Sequence, residues 1–234
     1  MNATGARDPI GDIIISSRPY AEYREQFALS TERILTGPVL DCPGGASDFA
    51  ATVRSLGGTA ISVDPSYRMD APRLATAIDD GLARVRQWTA AQPDRFDLDA
   101  SGQWTHVERW ADAAGVFLRD YRRDRAEGTG HYRAASLPVL PFPSDSFSLA
   151  VSGFLLFTYP RHFDRAAHLT ALCELCRVAR EVRLHPLNDS AGVAYPALGS
   201  LLRDLGRRGI EAELLPVRGQ SDRRDDRTLR LTRG

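Results

Sequence analysis

Residues 39–49, VLDCPGGASDF, pass from an apolar run through an acid and two adjacent glycines into a stretch with helical periodicity. A strand, a glycine turn and a helix in that order constrain the fold more than any other feature of the chain. The turn must bring backbone close to whatever lies beyond the carboxyl end of the strand, and glycine permits this because it has no Cβ. In open parallel sheets ligands bind at that position, facing the amino end of the following helix. The stretch therefore predicts a nucleotide-type site around residues 41–47.

The remainder of the chain repeats the same grammar. PVLDC (38–42), TAISVD (59–64), HYRAASL (131–137), SFSLAVSGFLLF (146–157) and EVRLHPL (181–187) read as strands, while residues 46–58, 163–180 and 195–209 read as helices. Alternation of this kind implies a doubly wound, mostly parallel sheet with helices on both faces. A further helix is expected over 18–30, with Tyr20, Tyr23 and Phe27 on one face, packing into the core or covering the ligand. Residues 210–217 and 228–233, joined by an Arg/Asp-rich loop (218–227), read as an antiparallel pair added to the parallel sheet. About 71–130 breaks the rhythm with two or three helical stretches around a polar turn, and carries all three tryptophans, Trp88, Trp104 and Trp110. It reads as a helical insertion that is either a lid over a substrate or a packing element. The expected organisation is one α/β domain over 1–234, with a helical cap at 1–36, a core at 37–70 and 131–234, and the insertion at 71–130.

At 234 residues such a domain needs no metal or disulfide staple. Thirty basic residues balance thirty acidic ones, which argues against a protein whose task is gripping a polyanion. All the basic residues are arginines, so lysine Schiff-base chemistry is excluded. Cys173 and Cys176 have redox-motif spacing but fall within a helix, where core packing is the expected role, and no metal site is expected. Cys42 reads as a small buried residue. The N-terminal residues do not resemble a signal peptide, and no apolar run approaches the roughly 20 residues of a membrane span, so a cytoplasmic, soluble protein is expected.

A dinucleotide site would carry G-x-G-x-x-G, whereas this chain has only Gly44-Gly45, and Asp41 would repel a pyrophosphate. In these residues the chain resembles the class I S-adenosylmethionine-dependent methyltransferases, whose cofactor carries a sulfonium and an ammonium group but no phosphate. LDCPGGAS (40–47) is similar to the family's first motif, hydrophobic-D-x-G-x-G-x-G, with Asp41 and Gly45 matching and Pro43 and Ser47 where glycines are usual. Asp64 in ISVDPSY is similar to the acid ending strand two, roughly 20 residues after the turn. SLPVLPFPSDSFSLAVSGFLLFTYP (136–160) resembles the segment leading into strand four, with Ser148 replacing the usual Asp, and the final hairpin resembles the reversed seventh strand. The resemblance covers about 37–70 and 131–234. It implies a Rossmann-like, seven-stranded sheet with a reversed C-terminal strand, and S-adenosyl-L-methionine as cofactor. By position it implies Asp41, Pro43, Gly44 and Gly45 at the methionine end, Asp64 and Pro65 at the ribose, Ser136 and Leu137 at the adenine, and Gly153 and Phe154 beside it.

Methyl transfer from a sulfonium needs chiefly alignment and exclusion of water, with a base optional. Residues after strand four are placed for this, which makes His162 the candidate base or substrate contact and Tyr159 a substrate contact. His185, on strand five, either points into the same pocket or is a core or surface histidine; His168 is expected to be structural, and His106 and His131 have no evident partner. The expected acceptor is a small molecule, with neither nucleic acid nor membrane as partner; oligomeric state is left open. The C-terminal arginines are interleaved with acids, as in a solvated face. The chain reads Ser152-Gly153-Phe154-Leu155 where base-modifying DNA methyltransferases have an N-P-P-[YF]-like motif. The same residues are compatible with a ligand-binding or scaffold protein that keeps the fold, or with an enzyme of other chemistry; an RNA methyltransferase ranks behind these.

Overall fold

The computed structural model describes residues 10–217, 222 and 224–233. Strands β1 (Val39–Asp41), β2 (Ala60–Val63), β3 (Tyr132–Arg133), β4 (Leu149–Gly153), β5 (Glu181–His185), β6 (Ile210–Pro216) and β7 (Arg227–Arg233) form one sheet in the order β3-β2-β1-β4-β5-β7-β6. The first five run parallel, and β7 is antiparallel to both of its neighbours. This is the Rossmann-like order of the class I methyltransferase fold, with its reversed seventh strand. The chain moves outward from β1 in one direction and from β4 in the other. A crevice therefore opens where the carboxyl ends of β1 and β4 part company. The central strands are buried on both faces, which explains their continuous apolar runs.

Helices α1 (Tyr20–Gln26), α2 (Thr31–Ile34), α3 (Phe49–Ser55), α4 (Ala71–Ala90), α5 (Val107–Glu127), α6 (Arg165–Val178) and α7 (Leu198–Gly206) flank the sheet. The helix expected over 18–30 ends early. Ala28 takes a left-handed φ of 50° and Ser30 caps α2, its hydroxyl accepting from the Arg33 N–H. Phe27 is in the core and Tyr20 stacks on Phe49. The third strand is shorter than its sequence suggests. Only Tyr132 and Arg133 pair with β2, because the Ala135 N–H turns back to the Arg133 carbonyl and Pro138 has no N–H to offer a ladder. The diverted residues Ala135, Ser136 and Leu137 face the crevice instead. In the expected 218–227 loop, residues 218–221 and 223 lie outside the described residues.

The insertion is part of the core. Leu74, Ile78, Leu82 and Val85 of α4 and Trp110, Ala114, Phe117 and Tyr121 of α5 recur at helical spacing and are buried in one cluster with Tyr67 and Tyr132. Phe117 is fully buried, with its ring 5.8 Å from Tyr67 and 5.3 Å from Tyr132. Arg54 and the Tyr132 hydroxyl both reach Asp120, tying α5 to the sheet edge. At the other end Arg95 forms a buried ion pair with Asp222, beside β7. Among the described residues no helix is long and apolar enough to cross a membrane.

Because Phe117 joins the insertion to the sheet edge, Phe117→Ala should cost about 3–5 kcal/mol in denaturant unfolding, the usual cost of emptying a buried aromatic site. The loss should appear in one cooperative transition. A separate early transition for the insertion would show that it is an independently folding lid.

Candidate functional site

The crevice is floored by the glycine turn, and the turn's hydrogen bonds decide what it can hold. The Gly44 N–H donates to the Val63 carbonyl at 2.9 Å, Gly45 to the Asp64 carboxylate at 3.1 Å, Ala46 to the Ser16 carbonyl at 2.9 Å and Ser47 to the Gly44 carbonyl at 3.2 Å. Pro43 has no N–H. All donors of residues 43–47 are therefore engaged within the protein. A phosphate cradle needs such donors free, so this turn suits a ligand without phosphate. The two glycines have packing reasons. A Cβ on Gly44 would lie 1.7 Å from the Ser62 hydroxyl oxygen; Gly45 has φ +53°, and its Cβ would lie 2.6 Å from the Ser16 carbonyl.

Asp41 is 1% exposed and does not line the crevice. It lies beneath the turn and accepts hydrogen bonds from the hydroxyls of Tyr23 (3.1 Å) and Ser62 (3.5 Å). Burial pushes its pKa well above the usual range; the Tyr23 hydrogen bond opposes this, while the Asp64 charge adds to it. Asp41, expected at the methionine end of the cofactor, thus lies beneath the turn and supports it from below. Asp64 does reach the crevice. One of its oxygens accepts from the Ser66 N–H and hydroxyl at 2.9 and 2.6 Å, and the other accepts from Gly45. A carboxylate offers about four acceptor sites, so one remains for a ligand hydroxyl. Burial also raises the Asp64 pKa, against the pull of those hydrogen bonds.

Pro43, Gly44, Gly45, Asp64, Pro65, Ser136, Leu137, Gly153 and Phe154 all line one cleft of about 680 Å³. That volume falls within the roughly 300–1,000 Å³ of small-molecule sites. The sequence reading missed the far wall, an extended strap that includes Ile13, Ile14, Ile15, Ser16 and Arg18. The strap is pinned by the Ser16 carbonyl on the Ala46 N–H, by Arg84 on the carbonyls of Ile10 and Asp12, and by the Ile14 N–H on the Tyr159 hydroxyl at 3.4 Å. Gly81 of α4 lets it approach, since a Cβ there would be 2.8 Å from the Ile15 carbonyl. Arg18 ends the strap with its guanidinium carbon 3.2 Å from the Phe154 ring centroid and 4.4 Å from that of Trp110. Burial lowers its pKa to about 10, opposed mainly by Glu22, so it stays charged at neutral pH. Its Nε is enclosed with no hydrogen-bond partner among the described residues. No local sequence signal separates this arginine from the others. Phe154 itself has φ 53°, a conformation that costs a non-glycine residue about 1–3 kcal/mol and tends to occur at functional sites.

Behind Arg18 and Phe154 is a second, smaller cavity of about 40 Å³. Tyr159 is buried and lines this cavity rather than the large cleft, with its hydroxyl spent on the strap. His162, expected as a base or substrate contact, is exposed and lines neither cavity. All three tryptophans line the small cavity while Trp104 and Trp110 also pack the insertion, so wall and packing element are one. His185 is buried, with Nδ1 3.0 Å from the Arg227 carbonyl; Nδ1 therefore carries the proton and Nε2 a bare lone pair, 4.0 Å from the Asp225 carboxylate. Burial lowers the His185 pKa to about 3. Burial and then the neighbouring Asp222 charge raise the Asp225 pKa to about 7, opposed by Asn188 and by Arg95 and Arg18. The other histidines are structural. His168 contacts the carbonyls of Asp164 and Leu156, His106 pairs with Glu22 at 2.7 Å, and His131 lies 3.2 Å from Asp124. Cys173 and Cys176 are free thiols, and burial raises both, Cys176 to about 12.

No protein-family model matches the chain. The uncharacterized protein MJ0045 of Methanocaldococcus jannaschii is 22% identical over 202 residues, covering 84% of this chain and 88% of its own length. Among solved structures, the glycopeptide N-methyltransferase MtfA complexed with (S)-adenosyl-L-methionine is similar over 92% of this chain and 87% of its own, at 13% identity and a TM-score of 0.46. A SAM-dependent methyltransferase from Bacteroides fragilis in complex with S-adenosyl-L-homocysteine matches over 91% of this chain and 81% of its own, at 12% identity and a TM-score of 0.45. Monomeric WbdD matches over 91% of this chain at 12% identity and a TM-score of 0.45, and this chain spans 40% of WbdD's length. The fold assignment rests on the strand order and directions given above.

The Asp225 environment has a measurable consequence for stability. A carboxyl with a folded pKa of about 7 and an ordinary value of 3.8 takes up a proton on folding between those values. Its contribution to stability therefore falls as pH rises from about 4 to about 7. Asp225→Asn removes this component, so the stability of the variant relative to wild type should rise across that window and be flat on either side. Chemical denaturation at a series of pH values checks this; a constant difference would contradict the buried, raised carboxyl.

Proposed function

We propose that this chain is an S-adenosylmethionine-dependent methyltransferase acting on a small-molecule acceptor. One observation carries the reading: a crevice at the β1/β4 switch point joins an acid with an acceptor site to spare to a glycine turn with no free N–H. That combination fits a cofactor with ribose hydroxyls and no phosphate, and does not fit a pyrophosphate. When bound, the cofactor supplies a methyl group already activated by its sulfonium.

The chain's own residues divide the remaining work. Asp64 accepts a ribose hydroxyl while holding Gly45 and Ser66 in place. Ser136 and Leu137, turned off the edge of the sheet, give the adenine an apolar wall with a polar rim. Arg18 provides a fixed positive charge for the methionine carboxylate, and its enclosed Nε offers an unused donor. The strap and Phe154 keep bulk water from the reacting end, which strengthens every charge interaction there. The neutral formal charge favours a small acceptor over a nucleic acid.

Calorimetric titration with S-adenosylmethionine and S-adenosylhomocysteine tests the assignment. Asp64→Ala should weaken binding by about tenfold or more, in keeping with a charged hydrogen bond of about 1.5–3 kcal/mol. Arg18→Met should weaken it less for a cofactor analogue lacking the carboxylate than for the cofactor itself. Unchanged affinity in a folded Asp64→Ala protein would overturn the assignment.

A further inference from the structure

The small cavity behind Arg18 is unlike the large cleft in chemistry. Its walls include Trp88, Trp104, Trp110 and Phe96, and several of its polar groups lack partners among the described residues. The hydroxyls of Thr158 and Ser190 are 8% and 2% exposed by residue, yet neither has a hydrogen-bond partner among the described residues. The indole N–H groups of Trp88 and Trp104 are also enclosed without partners. Buried polar groups are normally paired; the indole N–H groups can only donate, whereas the two hydroxyls can also accept, so Thr158 and Ser190 are the groups that suit a ligand N–H.

Charge narrows the class of ligand. Asp222 is matched by Arg95 in a buried ion pair, and Asp189 accepts the N–H groups of Ala191 and Val193. Asp225 is 6% exposed and has the neutral side chain of Asn188 at 3.0 Å, with the bare His185 Nε2 behind it at 4.0 Å. Around the cavity two arginines, Arg18 and Arg95, face the carboxylates of Asp189, Asp222 and Asp225, with Glu22 behind Trp110. The balance is negative, while the rings of Trp110, Phe154, Trp88 and Phe96 are already faced by Arg18 and Arg95. An amine suits this lining, as its N–H groups can be accepted by Asp225 and by the hydroxyls of Thr158 and Ser190. A volume of about 40 Å³ accommodates such a head group but not a whole substrate, whose remainder would lie towards the cleft, with which the cavity shares Ile14, Ser16, Arg18 and Phe154.

We propose that this cavity is the acceptor subsite, that it takes the amino head of a small amine, and that the Asp225 carboxylate receives the proton the nitrogen gives up. This rests on the methyltransferase reading. In the step, an R–NH3+ group transfers one proton to Asp225, and the freed nitrogen lone pair attacks the methyl carbon. The C–N bond forms as the C–S bond breaks, its electron pair stays on sulfur, and the products are the methylated ammonium and S-adenosylhomocysteine. Asp225 then returns its proton to solvent when the product leaves.

All three tryptophans of the chain line this cavity, so intrinsic fluorescence reports its occupancy once the cofactor site is held saturated. Butylamine, benzylamine and phenethylamine are titrated against the corresponding alcohols, with S-adenosylhomocysteine present at saturation. The amines should shift the fluorescence saturably, the alcohols at least tenfold more weakly. With S-adenosylmethionine, a responding amine should gain one methyl group by mass. In Asp225→Asn the amines should fall to the level of the alcohols, with S-adenosylhomocysteine affinity held within twofold. The comparison of amines with alcohols on the wild-type protein needs no variant to fold. Equal responses from amines and alcohols, or none from any amine while S-adenosylhomocysteine is bound, would overturn the subsite and leave the cofactor reading standing. Failure of S-adenosylhomocysteine to bind, with amines still distinguished from alcohols, would overturn methyl transfer and leave an amine site.

Discussion

The Asp64 carboxylate is the interaction on which the site depends. It joins the end of β2 to the turn after β1 through Gly45, and it closes the turn beginning at Pro65 through Ser66. These three bonds make the carboxylate a fixed part of the crevice floor, with one acceptor direction left over. A ligand hydroxyl would meet an acceptor that needs no rearrangement, so little orientational entropy is lost on binding. The same bonds consume the donor that a phosphate would need. Ligand preference here thus follows from how the protein satisfies its own backbone.

Arg18 depends on that floor indirectly. The strap carrying it is held by the Ser16 carbonyl on the Ala46 N–H, one residue beyond the glycines, and by the close approach that Gly81 allows. Enclosing a guanidinium is costly, and the cost is offset by the π faces of Phe154 and Trp110 and by Glu22 nearby. The result is a charged partition between two cavities of different character, a large one suited to a nucleoside and a small aromatic one lined by acids. Phe154, held in an unfavourable backbone conformation by its N–H bond to the His185 carbonyl, forms part of the wall on both sides.

Most of the fold could be read in the sequence because it is written locally. Apolar runs of four or five residues alternate with helical periodicity, and glycine pairs mark the turns. The positions lining the large cleft could be read too, since Asp64, Gly44, Gly45 and Leu137 occupy fixed places relative to strand ends. Asp41 shows the limit of that reasoning. Its position at the end of β1 is legible, but whether its side chain points into the crevice or beneath the turn depends on Tyr23 and Ser62, which lie 18 residues before it and 21 after it. The shortened β3 is similar, because a lone edge pairing competes with a turn that the Ala135 N–H finds within its own segment.

The sequence by itself determined the order of strands and helices, the place of the crevice and the absence of a phosphate-binding fingerprint. These follow from backbone preferences and from the two-residue and 3.6-residue periods, which act over short distances. Only the tertiary structure decided that Tyr159 and His162 stay out of the large cleft, that Arg18 enters it, and that the insertion's tryptophans enclose a second cavity with Asp225. Arg18 and Asp225 are separated by most of the chain, and Trp110 lies between them in sequence. What brings them together is burial of the α4–α5 apolar face against the sheet edge and pairing of Arg95 with Asp222. Such contacts depend on the summed packing of elements remote in sequence, and no local pattern encodes that sum.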